Sequence, residues 1–92
     1  MDLFKLINNK KTTIVDVRTP QEFSENRVEY SMNIPLNVIP EKIKELKEMQ
    51  PIVMCCAAGI RIGQAVEFLK SNGFVEVYNG GSWNDVLNML ET

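Results

Sequence analysis

Residues 52–73 read IVMCCAAGIRIGQAVEFLKSNG, and the reading of this stretch decides the fold. Ile52 to Cys55 form an apolar run with no polar alternation, the pattern of a strand buried on both faces. Small residues and Gly59 then permit a tight loop. From Arg61 onward Ile62, Ala65, Val66 and Leu69 recur at helical spacing, and Gly73 suits a left-handed C-cap. Strand, tight loop and helix make one step of an alternating α/β chain.

The same alternation continues in both directions. Upstream, TTIVDV (12–17) is a second β-branched strand. At TPQEF, Thr19 is an N-cap, Pro20 suits the first helical turn, and Glu22 completes capping-box spacing. Leu3, Phe4, Leu6 and Ile7 support a short first helix within Asp2 to Asn8. SENRVEYS (24–31) is polar and reads as a loop, and MNIPL as a short strand ending near Pro35. From Pro40 the apolar residues Ile43, Leu46 and Met49 form one stripe of a surface helix that Pro51 ends. Downstream, VEVY (75–78) is a strand and NGG (79–81) a turn. SWNDVLNMLE is a last helix with Ser82 and Asp85 in capping-box spacing. The expected architecture is one α/β domain over residues 1–92, with a mainly parallel central sheet and helices on both faces.

The bulk chemistry removes several function classes. Ninety-two residues with 45% hydrophobic and 24% charged content suit one globular domain. A net charge of -2 leaves no basic footprint, so nucleic acid is not an expected partner. The longest apolar stretch, Ile52 to Ile60, is too short to span a bilayer. The first residues lack the pattern of a secretion signal, so a reducing cytoplasm is the expected compartment. The chain contains no histidine and two cysteines. Cys–His and Ser–His–Asp pairs within the chain are therefore impossible, as are histidine-based or four-thiolate metal sites.

A reactive cysteine in this chain must be activated by backbone amides, a helix end or an arginine. The segment CCAAGIR (55–61) offers all three at the carboxyl end of a buried strand, where ligands bind in open α/β sheets. Loop amides and the following helix N-terminus converge there on an anion. The helix end alone contributes about 0.3–1 kcal/mol, less than one pKa unit of ~1.4 kcal/mol. Amide hydrogen bonds to the sulfur have to supply the rest of the activation.

IVMCCAAGIR resembles the active-site segment of the rhodanese-like sulfurtransferase family: an apolar strand, cysteine, two residues, glycine, one residue, arginine. IVDVRTPQEF is similar to the family's first strand, NIPL to its Asn-Ile-Pro, and LKSNGFVEVYNGG to its Gly-Phe and Gly-Gly ending. In this register Cys56 is the nucleophile, with Gly59 three residues on and Arg61 five. The resemblance implies that a donor such as thiosulfate or a persulfide leaves one sulfur on Cys56. A thiol or protein-cysteine acceptor then removes it. Ala57, Ala58, Gly59, Ile60 and Arg61 are the implied substrate-binding residues, and no cofactor or metal is implied.

Two other readings stand beside this one. Counted from Cys55, five residues precede Arg61, the spacing of cysteine phosphatases and arsenate reductases. The fold could also serve as a weakly active binding module. Two departures from the family bear on that. Asn26, Arg27 and Tyr30 replace the glycine, histidine and second glycine of its Gly-His-Ile-x-Gly-Ala segment, which should pack differently here. Ile62 replaces a frequent Ser or Thr after the arginine. For the remaining residues scaffolding roles are expected. Cys55 is a small apolar residue pointing away from Cys56 by strand alternation. Asp16, Arg18 and Glu22 belong to hydrogen-bonded or ion-paired structure, with Asp16 also a partner for Arg61. Trp83 belongs to the core.

Overall fold

The computed structural model describes residues 2–57 and 60–91, with the backbone alone for Ile60 and Arg61. Ten elements follow one another: α1 (Leu3–Ile7), β1 (Thr13–Asp16), α2 (Pro20–Glu25), β2 (Met32–Asn33), a 3-10 segment (Leu36–Lys42), α3 (Ile43–Glu48), β3 (Ile52–Cys56), α4 (Ile60–Ser71), β4 (Val77–Ser82) and α5 (Trp83–Met89). The four strands form one parallel sheet in the order β2-β1-β3-β4. All five residues of β3 are buried, as a strand covered on both faces requires.

Local sequence sets most boundaries. Asp2 caps α1 by accepting a hydrogen bond from the Phe4 amide at 2.9 Å. The Thr19–Glu22 capping box opens α2 with Pro20 in its first turn, and the Ser82–Asp85 box opens α5. Gly73, at φ 88°, ends α4 in the left-handed region. Ile62, Ala65, Val66 and Leu69 of α4 are buried as one stripe, and Leu46 anchors α3 with Ile43 and Met49 half-buried around it. Among the described residues no helix is long and apolar enough to cross a membrane.

The structure corrects several expectations, among them the start of β4, which lies at Val77 rather than Val75. Residues 36–42 form a 3-10 helix, and the α-helix begins only at Ile43; Pro40, without an amide proton, sits inside the tighter segment. The helix α2 takes in Ser24 and Glu25, leaving the loop to start at Asn26. Cys56 lies inside β3 rather than after it. The Asn79-Gly80-Gly81 stretch is not a turn but part of β4. A Cβ on Gly80 would stand 2.6 Å from Cγ1 of Val53 and 2.9 Å from Cγ2 of Val86. Glycine is there so that α5 can close on the sheet.

The 26–31 segment departs from its family pattern in sequence yet keeps a glycine-like backbone. Tyr30, standing where the second glycine falls, has φ 69°, while its side chain is 93% exposed. Val28 beside it is fully buried. A left-handed tyrosine costs about 1–2 kcal/mol, and its exposed ring has little packing to lose. Glycine relieves that strain but adds about 0.5–1 kcal/mol of unfolded-state entropy. Tyr30→Gly should therefore raise stability by about 0.5–1 kcal/mol, a few degrees in Tm. A thermal melt with an unchanged or lower midpoint would show that the φ carries no strain.

Candidate active site

The chain runs from β1 outward to β2, then returns across β1 to β3 on its other side. The connections leaving β1 and β3 therefore diverge between these two strands. A crevice at such a switch point, outside the carboxyl ends of the strands, is the expected ligand site of a parallel sheet. Asp16 and Cys55 are register partners at that end of β1 and β3, and Cys56 is the last residue of β3.

At this end of the sheet lies a buried hydrogen-bonded cluster. Asp16 is fully buried. Its Oδ1 accepts from the Arg18 amide and from Arg18 Nε, both at 3.0 Å, and its Oδ2 accepts from Nε at 2.9 Å. A second guanidinium nitrogen, Nη2, stands 2.8 Å from Oδ2, giving the bidentate geometry of a strong charge-assisted pair. Arg18 also donates to the Asn26 carbonyl at 2.7 Å, and its Cζ sits 5.0 Å from the centroid of Trp83. Asn33 Nδ2 donates to the carbonyls of Asp16 and Arg18 at 3.0 and 2.9 Å. These contacts fix the end of β1 against the start of the next connection.

Asp16 pairs with Arg18; its expected pairing with Arg61 falls on a side chain outside the described residues. Scaffolding roles for Asp16, Arg18 and Glu22 hold: Glu22 completes the α2 cap and its carbonyl faces Arg18. Trp83 packs half-buried against the core and carries the Arg18 guanidinium. Ile62 is fully buried, so the position that could hold a hydroxyl near the sulfur belongs to the core stripe of α4. Three amides missed by sequence reasoning hold distant backbone. Asn33 is one. Asn8 is another, donating to the Met89 carbonyl at 2.9 Å and accepting from the Glu91 amide at 2.8 Å. Gln50 is the third, its Oε1 accepting from the Val75 and Glu76 amides at 3.0 and 2.9 Å.

Cys55 and Cys56 are both thiols and both fully buried. Burial first, and the Asp16 carboxylate second, push the Cys55 thiol up from 9.0 to about 12; Arg18 opposes them in part and Cys56 adds to the rise. Cys55 is thus an uncharged apolar side chain at neutral pH. Ala57 follows as a half-buried bend, and α4 starts at Ile60. Ala58, Gly59 and the side chains of Ile60 and Arg61 lie outside the described residues.

The Cys55 environment has a measurable consequence. The folded chain holds this proton up to about pH 12, whereas an unfolded thiol releases it near 9.0. The resulting stability is complete below the unfolded value and is lost as pH rises toward the folded one. The slope is about 1.4 kcal/mol per pH unit. Between pH 8 and 10.5 the wild type should lose about 2 kcal/mol more than Cys55→Val, judged by urea unfolding. Equal losses would show that Cys55 ionises freely in the folded state.

Comparisons with known proteins agree with the fold. Residues 2–87 match the rhodanese-like domain. The chain is 32% identical over 74 residues to the thiosulfate sulfurtransferase PspE of Escherichia coli, covering 78% of this chain and 71% of that protein. It is 37% identical over 90 residues to the tRNA uridine(34) hydroxylase of Pelagibacter ubique, covering 92% of this chain but 30% of that protein. The crystal structure of a rhodanese-related protein from Thermoplasma volcanium superposes with a TM-score of 0.77 at 32% identity, covering 95% of this chain and 84% of that one.

Proposed function

The chain belongs to the rhodanese-like domain family, and on that premise we propose that it is a sulfurtransferase whose Cys56 carries sulfur as a persulfide. A donor such as thiosulfate or a persulfide gives its outer sulfur to the Cys56 thiolate, and the rest of the donor leaves. A thiophilic acceptor then takes the sulfur and regenerates the thiolate, a covalent relay in two steps. Amides of residues 57–61 and the start of α4 are suited to stabilise the charged terminal sulfur, and Arg61 to attract an anionic donor.

The observation that carries the reading is the contrast between the two cysteines at the switch point. Cys55 is held protonated, with its thiol pushed up to about 12, which disfavours the phosphatase register. Cys56 ends the strand and leads into the loop and α4. Only four residues separate it from Arg61, a small ring that suits one sulfur atom better than three phosphoryl oxygens. The sulfurtransferase name belongs to a relative of which this chain covers 71%. The hydroxylase name belongs to a protein of which it covers 30%.

Exposure to thiosulfate or polysulfide, followed by intact mass spectrometry and peptide mapping, tests the reading. One added sulfur on the peptide containing Cys56 is expected, with measurable transfer to cyanide or a thiol. Hydrolysis of a generic aryl phosphate should stay at background. Phosphatase turnover that disappears in Cys55→Ser but survives in Cys56→Ser would overturn both register and function.

A further inference from the structure

Two adjacent thiols in one active-site segment raise a question that a single-cysteine site does not. A persulfide on Cys56 could be discharged from within the chain. Cys55 thiolate would attack Cys56 Sγ, a Cys55–Cys56 disulfide would form, the sulfur–sulfur bond of the persulfide would break, and hydrosulfide would leave. That reaction balances without any external oxidant, so only geometry and protonation can prevent it.

The sheet supplies the geometry. Val53 and Val86 of α5 both border the missing Cβ of Gly80, so Val53 faces α5. Side chains two residues apart on a strand share a face, which puts Cys55 on the α5 side as well. There its register partner is Asp16, whose carboxylate is held by the Arg18 that lies against Trp83 of α5. By the same alternation Cys56 faces the opposite side of the sheet.

The irregularity near Cys56 does not undo this separation. Between the pairs Met54↔Asn79 and Cys56↔Ser82, β3 advances by two residues and β4 by three. The extra residue therefore belongs to β4, at Gly80-Gly81, and β3 keeps its regular alternation. On the other side β3 stays in register with β1 from Thr13↔Ile52 to Asp16↔Cys55, and the Val17 amide donates to the Cys55 carbonyl at 2.9 Å. A disulfide needs Cβ atoms about 3.8 Å apart, which neighbours on opposite faces of an extended strand do not reach. Forming one would pull Cys55 out of the middle of the sheet.

We infer that Cys55 and Cys56 are a split pair, divided by the plane of the sheet, so that Cys55 does not resolve the Cys56 persulfide and the sulfur leaves only on an acceptor from outside the chain, such as a thiol. This specification of the acceptor rests on the sulfur-transfer reading above; the division of the two thiols rests on the fold. The acceptor thiolate attacks the outer sulfur of the Cys56 persulfide and becomes the new persulfide. The Cys56 thiolate is the leaving group. Cys55 remains a protonated bystander, which keeps hydrosulfide from being lost between donor and acceptor.

The test uses wild-type protein and 4,4′-dithiodipyridine. The reagent leaves a pyridyl disulfide on a reactive thiol, a stand-in for the sulfur–sulfur bond of the persulfide, and releases one thiopyridone. Attack by Cys55 would release a second. One thiopyridone per folded chain is expected, with the mixed disulfide mapped to Cys56 and stable. Two thiopyridones with an intramolecular disulfide would overturn the inference, and so would none, or a lone adduct on Cys55. A second arm loads polysulfide sulfur, removes the excess and follows sulfide release without acceptor. Wild type and Cys55→Ala should release it at the same slow rate, and added glutathione should discharge both. Faster release from wild type alone would also overturn the inference. Failure to load sulfur, with one thiopyridone still released, would defeat the sulfur-transfer reading and leave the division of the thiols standing.

Discussion

Cys56→Ser should lose sulfur transfer by about 10³-fold or more and take up no sulfur at residue 56. A serine hydroxyl is not ionised at neutral pH, and nothing in a chain without histidine can serve as the imidazole base that activates a serine nucleophile. Removing the nucleophile of a covalent relay removes both half-reactions, which is why the expected loss is large. The matched variant Cys55→Ser should behave differently. Its hydroxyl would enter a fully buried position and cost about 1–3 kcal/mol of stability unless it finds a partner. The persulfide on Cys56 should still form. Thiosulfate-to-cyanide rates and intact masses of the two variants, compared at equal folded fraction, decide the matter. Activity that survives in Cys56→Ser but not in Cys55→Ser would move the nucleophile one residue upstream.

What could be read in the sequence was largely what local chemistry dictates. Thr19 with Glu22 and Ser82 with Asp85 satisfy helix-end amides within four residues, so their capping boxes are visible without a fold. The run Ile52 to Cys55 is continuous because both sheet faces are covered, and that also shows in composition. Where tertiary contact overrides local preference, reading failed. Gly80 and Gly81 look like turn residues, yet the first is a strand position that Val53 and Val86 leave no room to fill. The second, at φ 81°, belongs to the irregular pairing of β4 with β3. Asn33 and Gln50 act on backbone far away in sequence, and neither amide carries a local mark of that role. The pairing of Asp16 with Arg18 spans two residues and follows the expected ion-paired scaffolding, although strand alternation suggests only their shared face.

Asp16→Ala should cost about 3–5 kcal/mol, the usual penalty for removing one partner of a buried ion pair. Against a total stability of about 5–15 kcal/mol for a domain, that is enough to leave a sizeable unfolded population. The reason lies with Arg18, which is 4% exposed and would keep its charge without the carboxylate. Guanidinium cannot escape by losing its proton. The Asn26 carbonyl and the face of Trp83 would still receive it, which places the cost short of an isolated buried charge. Urea unfolding at pH 7 measures the loss, and a cost below about 1 kcal/mol would mean that carbonyls and ring already satisfy the arginine. The double variant Asp16→Leu with Arg18→Met separates charge from packing. Replacing both partners by apolar groups should restore much of the stability lost in Asp16→Ala, since the uncompensated charge, more than the missing attraction, is the expensive term. If the double variant is as unstable as the single one, the pair holds the fold through its hydrogen bonds to the 22–26 connection, and Arg18 matters as a clamp on α2 rather than as a countercharge.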